Sequence, residues 1–254
     1  MCWRNHYERR SPQNSIRTNH RPVLPQQTIQ FSQMIQKLYW YCAVFNYKVW
    51  RMNWQEFTAL LVLATAMSFT PGPNTTLSTA LAANGGLRRA MPFVCAVPLG
   101  WSALLLLCAW GLGALVLAVP LLALAVKAVG VGYLLWLAWK LSRARQLSEA
   151  SAAALSVGFW QGVALQFVNI KAWMLALAIV SGWIAGHANA PQRLTIVVPT
   201  MLSFAFTSNL LYATMGSLLR NWLRGPEGTG TRLRLFNQAM ALVLVATALW
   251  MAAL

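Results

Sequence analysis

The sequence predicts an all-α membrane protein with six transmembrane helices, arranged as two inverted three-helix repeats in which helices 1 and 4 are interrupted. Three observations support this prediction: the composition, the apolar spans with their loop charges, and two polar breaks at corresponding places. Of the 254 residues, 58% are hydrophobic and 9% are charged. A soluble domain usually carries about 25% charged residues, so the composition favours a protein that crosses the bilayer several times.

Six apolar segments are long enough to cross a hydrocarbon core of about 30 Å, which takes roughly 20 helical residues. They cover residues 57–81, 91–111, 114–138, 158–184, 194–218 and 235–254. An even number of spans permits two three-span units of opposite orientation, in which span 4 corresponds to span 1.

The basic residues of the six-span region lie mainly in its first, third and fifth connections. These connections contain Arg88 and Arg89; Lys140, Arg143 and Arg145; and Arg220, Arg224, Arg232 and Arg234. The second connection contains no Lys or Arg, and the fourth contains Arg193 alone. Basic loops stay in the cytoplasm, so we expect both ends of the six-span unit to face outward. The same distribution explains the excess of basic residues better than nucleic-acid binding does.

Residues 1–51 differ from the rest of the chain. The stretch RNHYERRSPQNSIRTNHRPVLPQQ is polar, basic and proline-containing, which is typical of disorder. The more apolar stretch that follows is divided by Lys37 and Lys48 into pieces too short for a span. If residues 1–51 faced outward, their many basic residues would also violate the rule that basic segments stay in the cytoplasm. We therefore expect a transmembrane domain at 52–254, preceded by a basic N-terminal extension that is either disordered or an over-extended start.

The first span contains FTPGPN, in which Pro71, Gly72 and Pro73 interrupt an apolar helical run. A proline costs roughly 3 kcal/mol in a helix interior and a glycine about 1 kcal/mol. The fourth span contains Asn169 and Lys171 within ALQFVNIKAW. At a rise of about 1.5 Å per residue, both breaks lie near the centre of the bilayer core. They predict a shared polar site near the midplane, as inverted repeats commonly have.

A helix that begins inside the membrane presents free N–H groups and the positive end of its dipole, which both favour an anion. Pro73 suits the first position of such a helix, and Asn169 suits an N-cap. We therefore expect a carboxylate ligand with Lys171 as its partner, because ionisable residues at membrane depth usually mark a pathway. The alternatives are a plain kink and an ammonium group satisfied by carbonyl oxygens.

Four further polar residues of the spans are candidates for substrate contact: Asn74, Gln166, Lys127 and Asn209. Asn74 directly follows the first break, whereas Gln166 precedes the second and is expected to share a helix face with Asn169. The alternative role for Lys127 is packing or snorkelling toward an interface. The alternative for Asn209 is a hydrogen bond between helices.

The sequence lacks the residues that other classes of function require. It shows no metal-ligand spacing, no Gly-x-Ser-x-Gly elbow and no acidic dyad, so we expect neither an enzyme nor a metal or other cofactor. No Asp or Glu lies deep in a span. This argues against a substrate with a cationic side chain, and it leaves no carboxylate relay for protons visible.

Four segments resemble motifs of the LysE/RhtB family of bacterial amino-acid exporters: SFTPGPN (68–74), ANGGLRRAMPFVCAVPLG (83–100), KAVGVGYLLWLAWKL (127–141) and ALQFVNIKAW (164–173). The resemblance covers about 52–254. It implies a secondary exporter of the bacterial inner (plasma) membrane, driven by the proton motive force. Its expected partners are a small amino-acid substrate and the lipid bilayer, and a homo-oligomer is left open.

One position departs from the family pattern, because the usual Asn-Pro-Lys is Asn169-Ile170-Lys171 here. Ile170 restores a backbone N–H group, so we expect a softer break than in the first span. A branch that resembles cysteine and O-acetylserine exporters also lacks this proline, which favours small neutral substrates such as cysteine, O-acetylserine, homoserine or threonine. The alternatives are an exporter of another small carboxylate and a membrane subunit that does not transport.

Overall fold

The computed structural model describes residues 36–37, 52–144, 157–225 and 230–253. The expectations about residues 1–51 therefore lie outside the described part of the chain, apart from two residues. All the helices given below belong to the unit Lys48–Leu254. The described residues form helices and no strand, which confirms the all-α prediction for this part of the chain.

Within that unit, the described residues form nine α-helices. They are α1 (Trp54–Phe69), α2 (Pro73–Gly85), α3 (Leu87–Ala109), α4 (Leu112–Ala118), α5 (Pro120–Ser142), α6 (Phe159–Val168), α7 (Ile170–Ile179), α8 (Ala190–Arg224) and α9 (Thr231–Ala253). A π-helical turn, Val180–Ile184, follows α7.

Four of these helices, α3, α5, α8 and α9, are long and apolar enough to cross a membrane. The pair of α6 and Ile170–Ile184, bent by 68°, meets the same criterion, which gives up to five candidate spans among the described residues. The predicted first span is divided into α1 and α2, of 16 and 13 residues. This pair is not among the candidate spans.

The start of α1 is fixed by a complete capping box. The Asn53 side chain accepts a hydrogen bond from the Glu56 N–H at 2.7 Å, and the Glu56 carboxylate accepts one from the Asn53 N–H at 3.1 Å. Glu56 also forms a 3.0 Å ion pair with Arg193. The sequence placed Arg193 in a connection, but α8 begins at Ala190 and contains it. Arg193 is buried there, whereas the side chain of Glu56 is 31% exposed.

Glycine lets the helices around the breaks approach closely. A Cβ atom on Gly130 of α5 would collide with the carbonyl oxygen of Val168 at the end of α6. A Cβ atom on Gly216 of α8 would collide with the carbonyl oxygen of Thr79 in α2. Gly100 of α3 is similarly close to α6. The backbones of α6 and α2 are therefore packed directly against their neighbours.

The apolar core forms two main clusters that meet along α3. One contains Phe93 and Leu165 and is built from α2, α5, α6, α9, the first half of α3 and the second half of α8. The other contains Leu104 and Ile179 and is built from α1, α4, α7, the first part of α8 and the second half of α3. The helix breaks fall where the chain passes from one cluster to the other.

Candidate functional site

The first helix break spans residues 70–72. Gly72 is the N-cap of α2 and has an extended backbone, with φ −166° and ψ −174°. Its N–H donates a hydrogen bond to Thr75 Oγ1 at 3.0 Å, inside the first turn of α2. Pro73 occupies the first position of the helix, as the sequence predicts. The missing N–H of Pro73 would have had no helical acceptor in any case.

The second break consists of one residue, Asn169, between α6 and α7. Its backbone is extended, and its carbonyl oxygen accepts hydrogen bonds from the N–H groups of Ala172 at 2.9 Å and Trp173 at 3.1 Å. Asn169 therefore holds the predicted N-cap position, although its side chain makes no capping bond. Ile170 does not restore a continuous helix, since the extended backbone of Asn169 bends the chain by 68°.

The two breaks are joined by Lys171. Its ammonium Nζ donates a hydrogen bond to the Thr70 carbonyl oxygen at 3.0 Å. Gly72 makes room for this contact, because a Cβ atom there would lie 3.2 Å from Nζ and 3.3 Å from Cδ of Lys171. The bond uses one of the three donors of the ammonium group. The sequence left open that the Lys171 ammonium group is satisfied by carbonyl oxygens, and one such bond is present. The lysine side chain also faces the first break.

A cavity of about 530 Å³, part of it open to solvent, lies beside the two breaks. Lys171 is the one ionisable residue in its lining, as far as the structure describes it. The cavity is therefore cationic and contains no carboxylate from the described residues. Six of the nine residues predicted for the site line it: Gly72, Pro73, Asn74, Asn169, Lys171 and Asn209.

Three of the predicted residues do not line the cavity. Pro71 is exposed and lies within the break itself. Lys127 lies on α5, which contributes none of the lining residues. Gln166 is fully buried and forms a reciprocal amide pair with Asn74, in which Asn74 donates at 2.8 Å and Gln166 at 3.1 Å. The expectation that Gln166 and Asn169 share a helix face is wrong, because α6 ends at residue 168.

The buried amides near the cavity differ in whether they are satisfied. Asn209 Oδ1 accepts a hydrogen bond from Ser78 Oγ at 2.8 Å, and its Nδ2 donates to the Ala205 carbonyl at 2.8 Å. Asn209 thus makes the contact between helices that the sequence left open for it. Asn169 is 3% exposed, and none of the described residues donates a hydrogen bond to its Oδ1.

The sequence analysis did not identify the apolar wall of the cavity. This wall includes the buried side chains of Trp101 from α3, Leu175 from α7 and Met201 from α8. Every span is rich in such residues, so pattern alone does not separate a cavity wall from the core. One available signal was the position of Trp101 well inside a span, away from the interfaces where aromatic belts form.

The cavity lies within the part of the chain that matches known proteins. A family model described as LysE type translocator matches residues 65–253. The cysteine/O-acetylserine efflux protein of Klebsiella pneumoniae is 28% identical over 163 residues, which cover 64% of this chain and 83% of that protein. The proteins of the same description from Salmonella typhimurium and Escherichia coli are 31% identical over 158 residues and 29% over 183. These alignments cover 62% and 72% of this chain, and 80% and 89% of the relatives. No solved structure matches the chain.

Proposed function

Because the chain belongs to the LysE family of translocators, we propose that it exports small neutral amino acids or their derivatives from the cytoplasm. Cysteine and O-acetylserine are the first candidates, since the relatives described above are named as efflux proteins for these two compounds. The observation that carries the proposal is the contact between the two helix breaks, which brings Lys171 and the start of α2 to one cavity.

The proposal assigns the carboxylate of the substrate to Lys171 and to the N-terminal end of α2. The first residue of α2 is Pro73, so the backbone N–H groups of Asn74 and Thr75 are the ones that helix geometry leaves without an acceptor. Together with the positive end of the helix dipole, they favour an anion. Gln166 supports this arrangement because its amide pair fixes the Asn74 side chain.

The neutral part of the substrate is assigned to the apolar wall. Trp101, Leu175 and Met201 offer an uncharged surface for a short side chain. A cationic side chain would find no described carboxylate in the lining, and burying an unpaired charge is costly.

The transport cycle is proposed to use a six-span arrangement in the bacterial inner membrane, with both ends outward. In this arrangement each of two inverted three-helix repeats contains one interrupted span. The interrupted span is α1 with α2 in the first repeat and α6 with α7 in the second. Two facts support it: both pairs are broken between helices, and residues of both breaks line one cavity. Rocking of one repeat against the other around that cavity would give alternating access. The domain responsible is proposed to be residues 52–254.

A reconstitution experiment tests this function. The full chain is incorporated into vesicles loaded with cysteine, O-acetylserine or lysine, and release is followed by mass spectrometry. We expect cysteine or O-acetylserine to be released faster than from protein-free vesicles loaded with the same compound. Lysine should not be released faster than from its protein-free control. If all three compounds are released at the rate of the protein-free vesicles, the proposal is contradicted. Release of lysine alone would contradict the assignment of a neutral substrate.

A further inference from the structure

We propose that the cavity also contains a site for the ammonium group of the substrate, formed by Asn169 Oδ1 and by the carbonyl oxygens of Met67 and Ser68. The inference rests on the proposed function and narrows the range of substrates that this function allows. It names the groups that would hold the ammonium end of the amino acid, and it predicts that carboxylates without an ammonium group are poor substrates.

Asn169 provides the first observation. The residue lines the cavity and is 3% exposed, yet the described residues offer its Oδ1 no hydrogen-bond donor. A buried amide oxygen without a donor is destabilising, and the side chain does not cap α7 in return. Two neighbouring buried amides, Gln166 and Asn209, are both hydrogen-bonded. Asn169 therefore carries an acceptor without a described donor in the lining of the cavity.

The end of α1 provides the second observation. Pro71 has no N–H, so the carbonyl of Met67 lacks the donor that a helix would supply four residues later. The N–H of Gly72, which would serve Ser68 in the same way, donates to Thr75 Oγ1 instead. Met67 and Ser68 both line the cavity. They lie at the C-terminal end of α1, where the negative end of the helix dipole favours a cation.

The same helix end already binds one ammonium group. Lys171 donates to the Thr70 carbonyl at 3.0 Å, and Tyr212 donates its hydroxyl to the Phe69 carbonyl at 2.9 Å. These two acceptors are therefore occupied, whereas the two preceding carbonyls, those of residues 67 and 68, lack the helical donors that residues 71 and 72 would supply. An ammonium group has three donors and no acceptor, which matches a set of three oxygen acceptors.

The first break can thus hold both charges of a zwitterion. The end of α1 offers carbonyl oxygens to the ammonium group, and the start of α2 offers N–H groups to the carboxylate. A ligand that carried only a carboxylate would leave Asn169 and the two carbonyls without donors. The site should therefore discriminate against such a ligand, because buried polar groups left unpaired reduce affinity.

Competition between two compounds tests the ammonium site. The probes are cysteine and 2-hydroxy-3-mercaptopropanoate, which carries a hydroxyl in place of the ammonium group. The full-length wild type in vesicles should prefer cysteine by at least about tenfold, the factor expected for one hydrogen bond to a charged group. Asn169→Leu, which keeps the size and removes the acceptor, should reduce this preference severalfold and still transport the hydroxy acid. Asn221→Leu makes the same change at an exposed position of α8 and should retain the wild-type preference.

Each other outcome contradicts the assignment. An unchanged preference in Asn169→Leu, at equal incorporation, would remove Asn169 from the ammonium site. Equal transport of both probes by the wild type would overturn the inference and leave an exporter of small carboxylates. Transport of neither probe by the wild type would refute the proposed function and this inference together. If Asn169→Leu does not insert into the vesicles, the ratio of cysteine transport to hydroxy-acid transport is measured in Asn169→Ala instead.

Discussion

The two helix breaks are held open in different ways. In the first, Pro71 and Pro73 remove two backbone donors, so neighbouring contacts could not restore a regular helix. In the second, Asn169 and Ile170 both have N–H groups, and the chain still bends by 68°. The first break is therefore fixed by covalent structure, whereas the second depends on what surrounds it.

Two contacts hold the second break from outside the helix backbone. The indole Nε1 of Trp173 donates to the Phe167 carbonyl at 2.7 Å, which occupies an acceptor at the end of α6. Gly130 of α5 leaves space for the Val168 carbonyl oxygen. A break held by tertiary contacts should be more sensitive to neighbouring substitutions than one held by proline. The predictions below use this difference, from the largest expected effect to the smallest.

Gly130→Ala should destabilise the second break most. Its Cβ atom would collide with the Val168 carbonyl oxygen, which is backbone and cannot rotate away. We expect a loss of about 1–3 kcal/mol in the free energy of unfolding, as for overpacked cores. Thermal unfolding of the purified protein in detergent measures this loss. Gly132→Ala is the matched control, because no atom lies within 4 Å of its Cβ position. Equal melting temperatures for the two variants would contradict the packing argument.

Trp173→Phe should have the next largest effect. It keeps an aromatic ring and removes the donor to the Phe167 carbonyl, at an expected cost of about 1 kcal/mol. Trp183→Phe removes a similar bond, 2.8 Å to the Glu56 carbonyl, at the start of α1. Both variants should melt earlier than the wild type, but only Trp173→Phe should reduce export per inserted molecule. If both reduce export to the same degree, the Trp173 bond has no particular role at the break.

Ile170→Pro should have the smallest effect, because it converts the second break into the kind found in the first. Residue 170 is the first of α7, where the N–H has no helical acceptor and proline is tolerated. The extended backbone of Asn169 is also the conformation that a following proline favours. We expect a change in unfolding free energy below about 1 kcal/mol, with export retained. Loss of insertion or export would show that the isoleucine side chain is required.

The sequence predicted the local features of the site well. Proline and glycine act through the backbone of their own segment, so the break at 70–72 and the first residue of α2 were both predictable. The midplane depth of Asn169 and Lys171, which came from counting residues in span 4, stays a prediction. These predictions needed no knowledge of which helices pack together.

Features that depend on tertiary packing were not predictable. The pairing of Gln166 with Asn74 joins residues 92 positions apart. The absence of α5 from the cavity lining, which leaves Lys127 outside it, depends on how α5 packs. The sequence predicted only a soft break at Asn169, because neither Asn169 nor Ile170 is a proline. The contacts of Trp173 and Gly130 that hold the bend come from tertiary packing.

The most direct test concerns the claim that Lys171 binds the substrate carboxylate where the two breaks meet. Transport of cysteine is compared with that of cysteamine, which lacks the carboxylate, in vesicles containing wild type, Lys171→Met or Lys127→Met. The wild type and Lys127→Met should prefer cysteine by at least about tenfold, and Lys171→Met should lose that preference. A preference that persists in Lys171→Met at equal incorporation would contradict the assigned role of the lysine and, with it, the account of how the two breaks form one site.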